Sequence, residues 1–515
     1  MFQSNPFQIA FPIRNLLLSF LMICAGANLL KSLMIIRTDA DTTYPESAIV
    51  QTAQWAAQTG HVYPTLEGPH YTPAPYGPLF YLTLAVAGKA TGADGDQIRY
   101  LLRGIVFLSY LLAGVAAFLL AIRAGALPGN AIVATAGVWG ATFALNWNVS
   151  VRPDFPALLL ALLGIWFASG RRKWPMLVLS GICCAAAPLT KQSYISALLA
   201  IGFFLLFRRQ YRQFAVFTAS ALSTVFLAVG YLLTQGEPVI QHMLVIGHSP
   251  LVPRSGLFYI FCLFTGLGLP VVAGGCTSLL SNHASDWWRL FKYYFCFALV
   301  VAILTLMQVG SNNNYLIELW AILCIGAAWA LPQGEAVWAP STNQFRAGVT
   351  LVLLFLTYQG VREIRHSPPV PEFSFEKVRN LQVLSTDPSL TAHSRTPEFL
   401  DPFLTTILEE RDVLSLSGIH ERIRRQEYDV VITNYENGRL RRYHDQPILS
   451  KAVQGLLTSW YRPFCRTSDM LVMVPKDRVP FSLDDASDTL RAECTPSPEE
   501  ATLLSAIVQK SPKRE

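Results

Sequence analysis

The sequence predicts an α-helical multi-pass membrane protein, with about eleven transmembrane helices and a small C-terminal α/β domain on the outer side. Three observations predict it. Of the 515 residues, 52% are hydrophobic and only 14% charged, whereas soluble domains carry about 25% charged residues. Apolar runs of about 20 residues, the length that crosses a hydrocarbon core, recur along residues 13–361. Beyond Val361 the composition turns polar, and short apolar runs alternate with helical patterns.

The spans are expected at 13–36, 100–122, 128–146, 154–170, 174–190, 193–207, 213–234, 257–280, 292–310, 315–331 and 347–361. The first run begins at Phe11, is long for the apolar core of a secretory signal, and is followed by no clean small-x-small cleavage site; a retained span is expected. A shorter segment at 78–90 reads as a re-entrant or interfacial helix.

Short-loop Lys and Arg set the orientation. With the N-terminus cytoplasmic, the inner loops hold Arg123, Arg171, Arg172, Lys173, Arg208, Arg209, Arg212, Arg289, Lys292 and Arg346. The outer short loops hold only Arg152, Lys191 and Arg254. These topology-setting charges also account for the net charge of +6, so no nucleic-acid partner is called for. The setting expected is a bacterial inner (plasma) membrane, with residues 1–361 as the polytopic domain, 37–99 as its first outer loop, and 362–515 as the extracytoplasmic domain.

In this orientation the polar clusters fall on the outer side: "DADTTYPES", "NVSVRPDFPALLL", "LTKQSY", "GEPVIQHMLVIGHSPLVPRSG" and "GSNNNYLIELW". Ionisable residues at span ends are costly and point to function. Asp39 and Asp41 form a DxD pair, which suits a divalent cation or a general base beside a phosphate leaving group. Glu46 opens a short amphipathic helix that ends at Gly60, and "YTPAPYGPLFY", with Tyr76, then returns the chain to the bilayer. Arg152 and Lys191 lie on the side poor in positive charge and read as phosphate ligands, with Gln192 beside Lys191 as a hydrogen-bond partner. Asp154 precedes Pro156 and an apolar run, as a helix N-cap would. Asn314 and Glu318, four apart at the start of a span with Tyr315 between them, read as mutual partners. His61, His70, His242 and His248 are scattered on the outer side and read as surface or interface residues.

The order and common sidedness of "DADTTYPES", "GHVYPTLEGPHYTPAPYGPLFY", "RPDFPALLLALLG", "LTKQS" and "NNNYLIE" resemble membrane glycosyltransferases of the C-type (GT-C) fold, the group that includes protein O-mannosyltransferases and the aminoarabinose transferase of lipid A. The resemblance spans about residues 13–331. It implies a GT-C-like fold and transfer of a sugar from a polyprenyl-phosphate donor to a glycan, lipid or protein acceptor, with inversion at the anomeric carbon. It implies a base among Asp41, Glu46 and Asp39, and phosphate ligands in Arg152 and Lys191. Asp154, Gln192, Asn314, Tyr315, Glu318 and Tyr76 join these as candidate substrate-binding residues. Many relatives carry adjacent Asp-Glu in the first loop where this chain has Asp-Ala-Asp. No cofactor is required by this chemistry, and the need for a divalent metal stays open.

In the tail, "LQVLSTD", "YDVVITN" and "MLVMVP" read as buried strands, and "DPFLTTILEER" and "SGIHERIRRQ" as helices. No Gly-rich phosphate loop follows a strand, which argues against a nucleotide site. Cys465 and Cys494 lie in this polar region, where an oxidising compartment would permit a disulfide. The competing class, a transporter or lipid flippase, predicts internal repeats and polar residues at the bilayer midplane. The sequence shows neither.

Overall fold

The computed structural model describes residues 7–38, 41–43, 46–64, 74–93, 95–170, 173–245, 251–253, 256, 259–260, 268–280, 285–308 and 310–337, and then 381–387, 396–400, 405–410, 412, 415–436, 439–440, 442–443, 446–447, 449–466 and 470–477. The helices are α1 Phe7–Ile35, α2 Glu46–Thr59, α3 Pro78–Thr91, α4 Gly95–Arg123, α5 Pro128–Trp139, α6 Asp154–Ser169, α7 Trp174–Thr190, α8 Ser196–Phe207, α9 Tyr211–Thr234, α10 Val239–Val245, α11 Gly268–Leu280, α12 Asp286–Leu306 and α13 Ile317–Val337. The chain divides into two compact units. One comprises Met1–Thr43, Tyr76–Thr234 and Leu251–Pro368; the other comprises Tyr44–Pro75, Gln235–Pro250 and Pro369–Glu515.

The first unit is a helical bundle. Among the described residues, five segments are long and apolar enough to cross a membrane: Leu18–Ile35, Gln97–Arg123, Tyr211–Thr234, Asp286–Leu306 and Asn313–Leu331. Four shorter apolar helices, α6, α7, α8 and the Val271–Leu280 part of α11, accompany them. The expected span at 347–361 lies outside the described residues. The two kinds of helix surface differ as a bilayer demands. Helix α13 is buried on all sides from Ile317 to Ala330, as an all-round apolar helix must be. Helix α9 instead leaves Phe226 76% and Leu227 71% exposed, a cost in water that lipid removes.

One expected span is cut short. Residues 128–146 read as one run, but α5 stops at Trp139, and a 3-10 turn at Thr142–Ala144 follows. Side chains from neighbouring helices take the carbonyls left over at its end. Asn28 Nδ2 donates to Trp139 O at 2.9 Å, and the Tyr110 hydroxyl donates to that same oxygen. Asn146 then adopts φ 76°, and the chain runs buried from Trp147 to Arg152.

The second unit holds α2, α10 and a six-stranded sheet. Its strands are β1 Gln382–Ser385, β2 Thr396–Phe399, β3 Val430–Glu436, β4 Arg439–Leu440, β7 Tyr461–Arg466 and β8 Met470–Pro475; a separate pair is β5 Arg442–Tyr443 and β6 Gln446–Pro447. The order is β2-β1-β3-β8-β7, with β4 on β3. Strand β1 runs parallel to β2 and β3, whereas β8 is antiparallel to β3 and β7. Helices α14 Thr405–Glu410, α15 Ser417–Arg424 and α16 Lys451–Trp460 complete it. Ile419 and Ile423, then Val453 and Leu457, use four-residue spacing to bury one helix face with Leu384, Val431 and Met473. The three expected strands and two expected helices are present; β2, β4, β5, β6, β7 and α16 are additional. The side chain of Cys465 and the whole of Cys494 lie outside the described residues.

Candidate active site

The N-terminal ends of α6 and α13 and the C-terminal end of α7 bring three sequence-distant polar clusters together. Asp154 is the first residue of α6 and is fully buried. It is not the N-cap: Pro153 holds that position and makes no side-chain cap bond. Asp154 Oδ1 instead accepts from Lys191 Nζ at 2.5 Å and from Asn314 Nδ2 at 2.9 Å. Arg152 Nε lies 3.8 Å from its other oxygen. A buried carboxylate gains more from a cation than from a helix N–H, which explains the change of partner.

Both cations are walled by rings. The Arg152 guanidinium lies 4.7 Å from the Trp147 ring centroid and 5.5 Å from that of Tyr76. Lys191 Nζ lies 4.2 Å from the ring centroid of the half-buried Tyr315 and 5.9 Å from that of Tyr194. Both cations are more than nine-tenths buried, where cation–π attraction is strongest. Gln192 follows in the turn, half-buried. The Tyr76-Gly77-Pro78 corner can approach because Gly77 has no side chain: a Cβ there would lie 2.0 Å from Leu189 O. On the other flank, Trp147 Nε1 donates to Asn313 Oδ1 at 3.1 Å, which ties the Arg152 loop to the turn that presents Asn314.

Glu318 sits beyond this cluster. Ser196 Oγ donates to it at 3.0 Å and Tyr294 OH at 2.9 Å. The expected pairing with Asn314 is therefore corrected. Asn314 belongs to a 3-10 turn, Asn313–Leu316, while Glu318 is in the first turn of α13. The 3-10 segment breaks the helical i,i+4 geometry and turns the amide towards Asp154.

The first loop is anchored by residues the sequence reading passed over. Arg99 Nη1 pairs with Asp41 Oδ1 at 3.2 Å. One turn along α4, Arg103 is fully buried and donates to Ile35 O at 3.0 Å, Thr38 O at 2.5 Å and Thr38 Oγ1 at 3.2 Å. The available signal was two arginines four apart at a span end that the sequence reading puts outside, where the positive-inside rule does not call for them. The Thr43 and Ser150 hydroxyls share a hydrogen bond. Asp41 is two residues from Thr43 and Arg152 two from Ser150, so the first loop and the cationic cluster are neighbours. Asp39 lies outside the described residues. Glu46 is buried at the start of α2, in the second unit.

In the second unit, Glu237 accepts from the backbone N–H of Val62 at 3.1 Å and of Tyr63 at 3.0 Å, with His61 Nδ1 at 3.4 Å. His242, expected on the surface, is 1% exposed. Its Nδ1 accepts from Ala74 N–H at 3.2 Å, so Nε2 carries the proton given to Pro64 O at 2.8 Å. Burial pulls its pKa down to about 4, and the Pro64 bond opposes the fall. His70 and His248 lie outside the described residues. Among the described residues, no group of three or more His, Cys, Asp or Glu could hold a metal ion.

No protein-family model matches the chain, and no curated protein does. Among solved structures it is similar to ArnT from Cupriavidus metallidurans in the apo state, at 14% identity and TM-score 0.57, over 87% of this chain and 96% of that one. The same protein bound to undecaprenyl phosphate gives 14% identity and TM-score 0.57, over 88% and 97%. The archaeal oligosaccharyltransferase AglB from Archaeoglobus fulgidus, in complex with an inhibitory peptide and a dolichol-phosphate, gives 12% identity and TM-score 0.50, over 90% and 75%. The chain has the GT-C fold. At these identities the likeness is one of fold, and the GT-C site has to be argued from this chain's own residues.

Proposed function

We propose that the protein is a membrane glycosyltransferase. In this reading it moves a sugar from a polyprenyl-phosphate donor to a glycan, lipid or protein acceptor at the outer membrane face, with inversion. The N-terminus is then cytoplasmic and the sheet-containing unit lies outside. The buried Arg152–Asp154–Lys191 cluster beside the Asp41 loop supports this most directly. Two cations and one carboxylate leave one net positive charge. A polyprenyl-phosphate sugar is a phosphodiester with one negative charge, so the site and the donor balance. The binding of undecaprenyl phosphate by ArnT and of a dolichol-phosphate by AglB supports the same class of donor.

The chemistry asks little more of the protein. A first-loop carboxylate, Asp41 or alternatively Glu46 or Asp39, takes the proton of the acceptor hydroxyl. The hydroxyl oxygen attacks the anomeric carbon from the face opposite the phosphate. The carbon–oxygen bond to phosphate breaks, and the leaving phosphate gains a negative charge. Arg152 and Lys191 meet that charge where it develops, in surroundings that screen it weakly. In this reading Gln192, Asn314, Tyr315 and Tyr76 are further donor contacts around the two cations, and Glu318 braces the neighbouring helices through Ser196 and Tyr294.

The test is transfer of labelled sugar from a panel of polyprenyl-phosphate donors in membranes containing equal amounts of wild type or Arg152→Gln. Transfer by wild type with a loss of at least about 100-fold in the variant is expected. Equal transfer by both would remove the cluster from the reaction. Donor flipping without transfer would reassign the protein as a transporter.

A further inference from the structure

A second basic site lies at the opposite end of the bundle. Helix α4 carries Arg99 beside the first loop and Arg123 in its last turn. At 1.5 Å per residue the two are about 36 Å apart, enough to cross the roughly 30 Å hydrocarbon core. Around Arg123 opens a cavity of about 370 Å³, lined by Arg123, Trp166, Phe167, Gly170, Lys173 and Met176. The Arg123 guanidinium lies 5.2 Å from the Trp166 ring centroid, and Nη1 donates to Trp166 O at 3.4 Å. Among the described residues the lining holds two cations and no acid. Elsewhere on this bundle an inner-loop arginine has its own counter-charge: Arg208 pairs with Asp286 at 3.1 Å.

We propose that this cavity binds the phosphate headgroup of an anionic phospholipid in the cytoplasmic leaflet. A positive-inside role needs only charge in the loop, which Arg171, Arg172 and Lys173 supply. It requires neither a concave site nor an indole wall. Closing off the end of α6 accounts for the Arg123–Trp166 O bond but leaves the cavity and its indole wall unexplained. A basic recess at the interface, floored by aromatic rings, presents fixed cations to a lipid phosphate and apolar surface to its acyl chains.

Gly170 supplies a test that keeps every charge. Its backbone is extended at φ −82°, which alanine tolerates, but a Cβ there would lie 2.6 Å from Arg123 Nη2. Gly170→Ala therefore displaces the guanidinium and leaves the charge count alone. The experiment is thermal unfolding of the full-length protein in neutral detergent, titrated with dioleoylphosphatidylglycerol, dioleoylphosphatidylcholine or inorganic phosphate. Phosphatidylglycerol is expected to raise the wild-type midpoint, with little response to the other two. Arg123→Gln, Lys173→Gln and Gly170→Ala should each weaken the apparent affinity roughly five-fold. Arg208→Gln should leave it unchanged. An equal response to phosphatidylcholine, a match by inorganic phosphate, or wild-type binding by Gly170→Ala would each overturn the proposal.

Discussion

Lys191 and Asp154, 37 residues apart in sequence, form a buried ion pair of 2.5 Å, and Asn314 donates to the same carboxylate oxygen at 2.9 Å. The pair fixes the start of α6 and the end of α7 against each other. It also sets where a cationic cluster can stand, because neither cation is tolerated at this depth without a counter-charge.

Removing the carboxylate alone should cost more than removing the carboxylate and Lys191 together. Asp154→Leu leaves Lys191 and Arg152 buried without their carboxylate and should destabilise the protein by about 3–5 kcal/mol, whereas Lys191→Met leaves Asp154 its Arg152 and Asn314 partners and should cost less. The double variant should recover much of that loss. Denaturant unfolding in detergent measures it, and a double variant as unstable as the sum of the singles would refute the ion pair's structural role.

The first-loop acids can be separated by transfer rates. If Asp41 is the base, Asp41→Asn should lose about 10²–10⁴-fold in rate at equal abundance, and Glu46→Gln much less. Arg99→Gln should lose activity mainly through Asp41, so adding it to Asp41→Asn should change little. The reverse pattern between Asp41 and Glu46 would move the base to Glu46.

Glu318 should be sensitive through its two donors. Ser196→Ala and Tyr294→Phe each remove one hydrogen bond to a buried carboxylate and should cost about 1–3 kcal/mol. The two sites share a partner, so their effects should depart from additivity. Unfolding midpoints of the singles and the double decide it, and strict additivity would count against the shared site.

Stability should fall in mild acid because of His242. Above about pH 6.5 the ring is neutral in both folded and unfolded chains. Between there and about pH 4 only the unfolded chain takes up the proton, so stability drops by at most about 1.4 kcal/mol per pH unit, on the order of 3 kcal/mol in all. Unfolding followed from pH 7.5 to 4.5 should show this slope, and His242→Gln should flatten it. An unchanged slope in the variant would place the effect elsewhere.

Much of the site was legible because bilayer physics sorts polar residues by side. The clusters around Arg152, Lys191 and Asn314 were read as facing the same side, and the structure brings them into one group. Their pairings were not legible. The partner of Asp154 lies 37 residues away and that of Asn314 160 residues away, and no local period records such contacts. The end of α5 was missed because Asn28 and Tyr110, from other helices, take its last carbonyl. Arg99 and Arg103 were passed over because they stood at the start of an apolar run, where an arginine often only reaches for the interface. Strands β2 and β7 escaped because each contains a proline and few β-branched residues.

Arg103 has a consequence for how the chain is made. It donates to Ile35 O, which lies 68 residues earlier and closes the first helix. Thr38, three residues on, already gives its N–H and hydroxyl to that carbonyl, so α1 closes with local donors alone. What needs α4 is the setting of the turn from Ile35 to Thr38, because Arg103 donates to the carbonyls at both of its ends. The start of the loop that carries Asp41 is thus fixed only once α4 has been made and has packed, so its assembly is a late event in biogenesis.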